Sequence, residues 1–469
     1  MEKTEKAVSR CVFLNIGRWR AYFEGRGYPL LVAALVLFGN LTALDYYVNF
    51  IVTGLFIFAM LICDSIKPGI ITVLSYIYQI SLPHAPGYPT YSDFFFSEWR
   101  VAASVIIIIL VAFAFLFFFF KKRIYRGLTV EKTPLFYSLV AFCIAFIMNG
   151  AFSENWIVKD LVFAFLNTLV YFFLFLVVYH GFGERENAQD IMSYFSYVSL
   201  LVSVVIMCEM LFLFITSDVV SIEGMIVKEK VALGWGIWNI IGQSLSVLIP
   251  VLFYGAIMEN RYYVYFSAAS LCYLFAILSM SRNALICSSF AYFSSLAVAS
   301  FFGERRRLYR IVSLFLLAAV AIAVLIFYGE IRTVLFDYFD RGLSDNGRFA
   351  LWRLAIQTFA DHPLFGNGFY GLITDAVFEY SSFPRMAHNT FFQILSSMGL
   401  FGLASYLWYR AETLLLFLRR PSVMKSMLGI SIAAFLLGSL LDNFVFNIHP
   451  AIYYTIALAV ACKAHREKG

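Results

Sequence analysis

Residues 101–126 read VAASVIIIILVAFAFLFFFFKKRIYR. The first twenty of these carry no charge, and the last six carry four basic side chains. About 20 mostly apolar residues are what a helix needs to cross the ~30 Å hydrocarbon core of a bilayer. A basic cluster at the end of such a run marks the cytoplasmic side. The stretch therefore reads as a helix that crosses a membrane and ends inside. The whole chain has the same character: 61% of its 469 residues are hydrophobic and only 14% are charged, against roughly 25% charged residues in soluble domains. That balance excludes a soluble enzyme, a disordered protein and a secreted disulfide scaffold. A membrane β-barrel would show alternating segments of about ten residues, and the runs here are long and unbroken. The fold class is all-α, a polytopic integral membrane protein.

Working outward, fourteen segments qualify as spans: 29–46, 47–63, 68–83, 99–120, 133–150, 156–179, 191–216, 233–257, 262–280, 283–301, 311–328, 389–409, 426–441 and 444–462. The third is short and the first two share a tight connection, so the expectation is 12–14 transmembrane helices. With the N-terminus inside, alternate connections divide the 35 Lys and Arg residues into 25 inside and 10 outside, as the positive-inside rule requires. Both clusters KKRIYR (121–126) and ERRRLYR (304–310) fall inside, and both termini are cytoplasmic. The organisation expected is a cytoplasmic basic amphipathic segment at 1–27, a membrane domain of eleven spans at 28–328, an extracytoplasmic loop at 329–388, and three further spans with a tail at 389–469. In the first segment Val8, Val12, Ile16, Trp19 and Phe23 recur at helical spacing with arginines among them, the pattern of a helix lying on the inner leaflet. No cleavable signal is expected at the N-terminus.

The connections elsewhere are short, so the sixty residues of 329–388 stand out. A loop of that length is usually functional or disordered, and this one is not of low complexity. Asp345 or Asn346 can cap a helix on which Arg348, Trp352, Ala355 and Phe359 share a face. Asp361-His362-Pro363 ends it, and Gly366, Gly368 and Gly371 make a turn-rich bend. Phe383-Pro384-Arg385-Met386-Ala387-His388-Asn389 then leads into an apolar run, which places His388 in the first turn of a spanning helix at the outer surface. An imidazole there can serve as a general base or simply hydrogen-bond the loop. Arg282 interrupts 262–301 at an outer connection, where it can bind an anion or snorkel to headgroups. Glu209 is an intramembrane acid, a functional candidate or a buried carboxyl bonded to a neighbouring Ser, Asn or Tyr. Asn239 and Gln243 share a helix face and suit substrate or, more commonly, helix-to-helix bonding.

Some absences also inform. The sequence has no dinucleotide or P-loop glycine motif, no Asp-x-Asp pair and no His-Glu-x-x-His. Its seven cysteines lie in or beside apolar runs, apart from Cys11 in the charged N-terminus. Neither a cofactor, a catalytic metal, a disulfide framework nor nucleic-acid binding is expected.

Taken in order and spacing, these residues resemble the O-antigen ligase and O-antigen polymerase family of bacterial envelope glycosyltransferases. The resemblance is strongest over 279–410. It rests on Ser281-Arg282 between two spans, Gly347-Arg348 with Leu351-Trp352, and His362-Pro363-Leu364 with Gly366 and Gly368. It continues with His388-Asn389, nine residues on to Gly399, and Gly402, with Asn239 and Pro250 upstream. The resemblance implies a C-type multi-span fold in the bacterial inner membrane. It also implies an undecaprenyl-diphosphate-linked glycan donor, a saccharide hydroxyl as acceptor, and partners among other polysaccharide-assembly proteins. Carried onto this chain, it makes His388 the general base and Arg282 and Arg348 ligands of the diphosphate. Arg385 is a third cation by its nearness to His388, and Asn389 and Trp352 support the site. Arginine forks suit a diphosphate and can take the place of a metal, and a single attack by the acceptor on the anomeric carbon is expected to invert its configuration. The extra spans and divergent first third lean towards a repeat-unit polymerase over a ligase. The competing classes are a polysaccharide or lipid transporter, in which pseudo-symmetric halves are expected, and a non-catalytic membrane scaffold.

Overall fold

The computed structural model describes residues 16–42, 44–77, 98–127, 133–183, 186–217, 219, 226–227, 230–233, 236–302, 304–326, 348–371, 387–419 and 421–466. Within them the chain is almost wholly helical. The helices are α1 (Ile16–Glu24), α2 (Gly27–Thr42), α3 (Asp45–Ile62), α4 (Lys67–Ile77), α5 (Glu98–Lys121) and α6 (Phe136–Ile147). Next come α7 (Val158–Gly181), α8 (Ala188–Thr216), α9 (Trp238–Met258), α10 (Tyr262–Leu278), α11 (Arg282–Phe301) and α12 (Arg306–Ile326). The last four are α13 (Arg348–Asp361), α14 (Thr390–Leu418), α15 (Val423–Leu441) and α16 (Ile448–Arg466). A two-residue antiparallel ribbon, Ala232–Leu233 with Gly236–Ile237, pairs Ala232 with Ile237 and Leu233 with Gly236 just before α9.

Each of the fourteen segments read as spans falls on one of these helices. Eight are long and apolar enough to cross a membrane by themselves: α3, α5, α7, α8, α9, α11, α14 and α15. The pair α1 and α2, bent by 66°, makes a ninth if taken as one span, and α6 and α10 are shorter apolar helices. The break between the first two spans comes earlier than the apolar run suggests. Here α2 stops at Thr42 and α3 starts at Asp45, an acid in a first turn where the helix dipole favours it. Side-chain caps close other starts: Asn187 on α8, Ser281 on α11, Asn389 on α14 and Ser422 on α15.

The ends that charge assigned to one side are found together. Arg20 and Lys122 both reach Asp64, Arg26 pairs with Glu259 at 3.1 Å, and Lys67 with Glu186 at 2.7 Å. Lys121 Nζ donates to the carbonyls of Leu61 and Cys63 at the end of α3. All of these lie at connections read as inside. One basic residue counted there does not. Arg410 sits within α14, with its guanidinium over the rings of Tyr406, Tyr409 and Tyr454, so the inner connection after α14 begins later than the count assumed. The apolar run around it hides a buried cation that ring faces accommodate.

The core is organised on α9, of whose most apolar window 94% is buried. It packs against α8, α10, α11 and α15. On either side of Pro250, hydroxyls of Ser431 and Ser196 donate to the carbonyls of Val247 and Val251. Gln243 Nε2 donates to Ala434 O at 3.1 Å, which makes Gln243 helix-to-helix glue. Such bonds and small-residue contacts hold helices together where lipid removes the hydrophobic incentive.

Helix α14 is broken. Gly399 has φ 62° and ψ −158°, a conformation essentially reserved for glycine. The backbone groups freed by the break are taken up by the turn after α13. Leu400 and Phe401 N–H donate to the carbonyls of Pro363 and Leu364 at 2.8 and 3.1 Å, while Asn367 and Gly368 N–H donate to those of Ser396 and Ser397 at 2.8 and 3.1 Å. Gly366, at φ +70°, sits so close that a Cβ would lie 2.3 Å from the Ser397 carbonyl carbon. Gly366→Ala should therefore combine left-handed strain with a backbone overlap and destabilise the fold by about 2 kcal/mol or more. Gly54→Ala, on an open face of α3, should stay within roughly 0.5 kcal/mol of the parent. Unfolding in detergent measures both, and equal stabilities would contradict the pairing of turn and broken helix.

Candidate active site

Four helix ends that charge placed outside meet around one carboxylate. Asp442 closes α15, with its backbone N–H donating to Gly438 O at 2.8 Å. Its Oδ1 accepts from His388 Nδ1 at 3.1 Å and from Asn443 N–H at 2.8 Å, and its Oδ2 accepts from Asn239 Nδ2 at 3.1 Å. Asn239 Oδ1 in turn accepts from Ser281 Oγ at 2.7 Å. Ser281 also caps α11, accepting from Ala284 N–H at 3.2 Å, and Arg282 follows it as the first residue of that helix. The chain Ser281, Asn239, Asp442, His388 thus ties the starts of α9, α11 and α14 to the end of α15.

His388 lies one residue before the cap of α14, not in its first turn as the apolar run suggested. Asn389 is the cap: its Oδ1 accepts from Phe391 and Phe392 N–H at 2.9 and 3.3 Å, and its Nδ2 donates to Leu440 O at 2.8 Å. Both ends of that side chain are committed to joining α14 to α15. His388 has φ 50°, unusual for a residue with a side chain though histidine tolerates it better than most. Its neighbours hold it there. Ala387 N–H donates to Gln393 Oε1 at 2.7 Å, and Ala387 O accepts from Trp352 Nε1 at 2.9 Å. The His388 side chain is 45% exposed, whereas Asp442 is 15% exposed. A carboxylate accepting from Nδ1 fixes the tautomer, so Nε2 carries the lone pair. An orienting acid behind a half-exposed imidazole is the arrangement of general-base sites.

Trp352 does more than donate one bond. Its ring stacks on Phe392 at 5.0 Å between centroids and 20° between planes, and Ala355 and Ala387 are buried beside it. These contacts dock α13 on the start of α14. Arg348, half-buried, is the first residue of α13, one turn before Trp352. Arg282, exposed, is the first residue of α11. A cation at a helix start is mildly unfavourable to the helix, whereas the free N–H groups there suit an anion. Arg385 lies outside the described residues.

Sequence reasoning missed Asp442 altogether. The signal was its place beside Asn443 in a two-residue connection on the same side as His388. It also read Asn239 chiefly as glue, because its partner lies 203 positions away. Glu209 is buried and accepts a hydrogen bond from Asn40 Nδ2, in line with the bonded-carboxyl reading.

An apolar groove of about 420 Å³ runs between α3, α4, α5, α7 and α16, walled by Tyr46, Ile107, Val111, Phe115, Phe173 and Ile452. A single π-helical turn in α7, Leu169–Leu174, forms part of the wall; such turns are frequent at functional sites. His449 lines the groove at the start of α16, seven residues after Asp442.

Residues 266–407 match the family model described as O-antigen ligase. The resemblance read from the sequence is borne out over that segment, which takes in Arg282, Arg348, Trp352, Arg385, His388 and Asn389 and stops short of both Asn239 and Asp442. No curated protein matches the chain.

Proposed function

We propose that this chain is a glycosyltransferase of the outer face of the bacterial cytoplasmic membrane, moving a glycan from undecaprenyl diphosphate to a saccharide hydroxyl. The observation that carries the proposal is the contact between His388 Nδ1 and Asp442; arginines open α11 and α13. The O-antigen ligase match supports the same reading. The orientation with both termini inside, and the basic segment at 1–27 on the inner leaflet, belong to this proposal and rest on the distribution of charge.

The chemistry follows from the residues. The acceptor hydroxyl gives its proton to His388 Nε2 as its oxygen attacks the anomeric carbon. The bond from that carbon to the diphosphate oxygen breaks, and its electron pair leaves with the polyprenyl diphosphate. Negative charge grows on the leaving oxygen, where Arg282 and Arg348 offer planar forks that match phosphate geometry. Arg385, between α13 and α14 in the sequence, is the third cation of this proposal. A single displacement inverts the anomeric centre. Asp442 touches neither sugar nor phosphate; it is a positioning residue that holds the imidazole. The apolar groove suits a segment of the donor's polyprenyl chain, since its medium is lipid and its walls are almost wholly hydrocarbon. The activated donor supplies the driving force, so the reaction needs neither ATP nor, on this reading, a metal.

Two sets of substitutions test the assignment with purified protein and lipid-linked donor. His388→Ala should lower product formation by about 10²–10⁴-fold, the usual worth of a general base. Asp442→Asn should lower kcat by about 10²-fold with donor KM nearly unchanged, because it disturbs the base and not the binding of substrate. Near-normal turnover in both at matched protein levels would return His388 to a structural role.

The second set separates charge from geometry. Arg348→Lys keeps the charge and loses the fork, and should be severely defective if Arg348 grips a diphosphate. Arg353 is exposed on another face of α13, and Arg353→Lys should be mild. Equal, mild effects would remove Arg348 from the site.

A further inference from the structure

A second concavity lies at the other end of α13. It encloses about 460 Å³, within the ~300–1,000 Å³ typical of ligand pockets. Gln357, Thr358 and Asp361 contribute from the last turns of α13, His362 and Asn367 from the turn that follows, and Asn155 from the connection between α6 and α7. From this geometry we propose that the cavity is a glycan subsite, holding a sugar residue several units away from the one that reacts. The inference rests on the transferase reading for its biological sense but not for its binding chemistry.

The lining argues for a sugar over an anion. It contains carboxamides, one carboxylate, one imidazole and a hydroxyl, and no lysine or arginine. Carboxylate oxygens only accept, while amides and imidazoles both donate and accept, so the set matches a ring of hydroxyls, each of which does both. Among the described lining residues, a phosphate would meet Asp361 with no cation to offset it. Leu354 and Ala360 also line the cavity and give the apolar C–H face of a sugar ring something to lie on.

The walls divide into fixed and available groups. Asn367 is fixed: its Nδ2 donates to Gly371 O at 3.0 Å, and its Oδ1 accepts from Ser153 Oγ and from Asn155 Nδ2. Thr358 Oγ1 donates back to Leu354 O at 2.9 Å. Among the described residues, the side chains of Gln357, Asp361 and His362 make no hydrogen bond or ion pair, so three polar groups of different hydrogen-bonding character converge on one space without spending themselves on the protein. The fixed half is rigid because the turn is held by the broken helix. Its Tyr370 N–H also donates to the buried Asp160 carboxyl at 3.1 Å.

Distance sets the role. Asp361 is thirteen residues from Arg348 on one continuous helix, about 20 Å along its axis at ~1.5 Å per residue. A sugar held there is not the one whose anomeric carbon reacts. Binding energy from remote parts of a substrate raises discrimination and positions the reacting end, which in a glycan-joining enzyme means sensing the length or composition of the chain. The glycan could belong to the donor or to the acceptor; the chemistry of recognition is the same.

The test uses the full-length protein in lipid nanodiscs and, as probe, the free repeat-unit oligosaccharide released by mild acid from the source organism's own polysaccharide. Binding is followed by saturation-transfer NMR and calorimetry. The wild type and His388→Ala should bind alike, while Asp361→Asn and the double variant Gln357→Ala/Asp361→Asn should weaken binding, the latter at least tenfold, with unfolding midpoints matching the parent. Steady-state transfer identifies the source: a raised KM for acceptor alone assigns the cavity to the acceptor glycan, and a raised KM for donor alone to the donor glycan. Oligosaccharide that binds a protein incapable of transfer would remove the proposed reaction and leave this subsite standing. Equal binding to the parent and the double variant, or no binding to either, would overturn it.

Discussion

In lipid a backbone N–H or C=O without a partner costs several kcal/mol, and α14 breaks in a transmembrane helix. That break at Gly399 makes the turn after α13 obligatory, because residues 363–368 supply partners for the carbonyls of Ser396 and Ser397 and the N–H groups of Leu400 and Phe401. The dependence runs both ways. Residues 363–368 adopt their turn because two glycines accept left-handed backbone where any Cβ would strike a neighbour. Once the turn is fixed, α13 leaves it in a set direction and lands on the start of α14 through Trp352. Arg348, His388 and the polar cavity all take their places from this one arrangement.

The relay at Asp442 is the second consequence. Helix ends are where side chains with polar heads can meet at a membrane surface without crossing hydrocarbon. Three helix starts and one helix end converge here, and the polar side chains among them bond in series from Ser281 to His388. The relay leaves one imidazole nitrogen available and holds the other. A loop that merely covered the bundle would need neither the left-handed backbone at His388 nor a carboxylate behind it.

Much of the fold was legible because membrane spans are signalled locally. Runs such as 101–120 need no knowledge of their neighbours, and the ends that lysine and arginine counts assigned to one side do lie together at Asp64, Glu186 and Glu259. Errors came where the local signal is silent. The break between α2 and α3 lies inside one apolar stretch, and Arg410 hides in another. For the proposed site, Arg282, Arg348, Trp352 and His388 were named from their positions in a pattern. Asp442 could not, since its meaning depends on a contact across 54 positions in sequence. Asn389 was read as part of the site, and the structure commits both ends of its side chain to joining two helices.

In the proposed reaction the imidazole positioned by Asp442 activates an acceptor hydroxyl for one direct displacement at a diphosphate-linked sugar. The most direct measurement is a reaction of purified protein with polyprenyl-diphosphate-linked repeat unit in excess chelator, analysed for the configuration of the new linkage by NMR and for polyprenyl diphosphate released. The expected result is an inverted anomeric centre and one polyprenyl diphosphate for each linkage formed. Retention of configuration, or a product that forms only when a divalent metal is restored, would rule out metal-free direct displacement by the His388-activated hydroxyl.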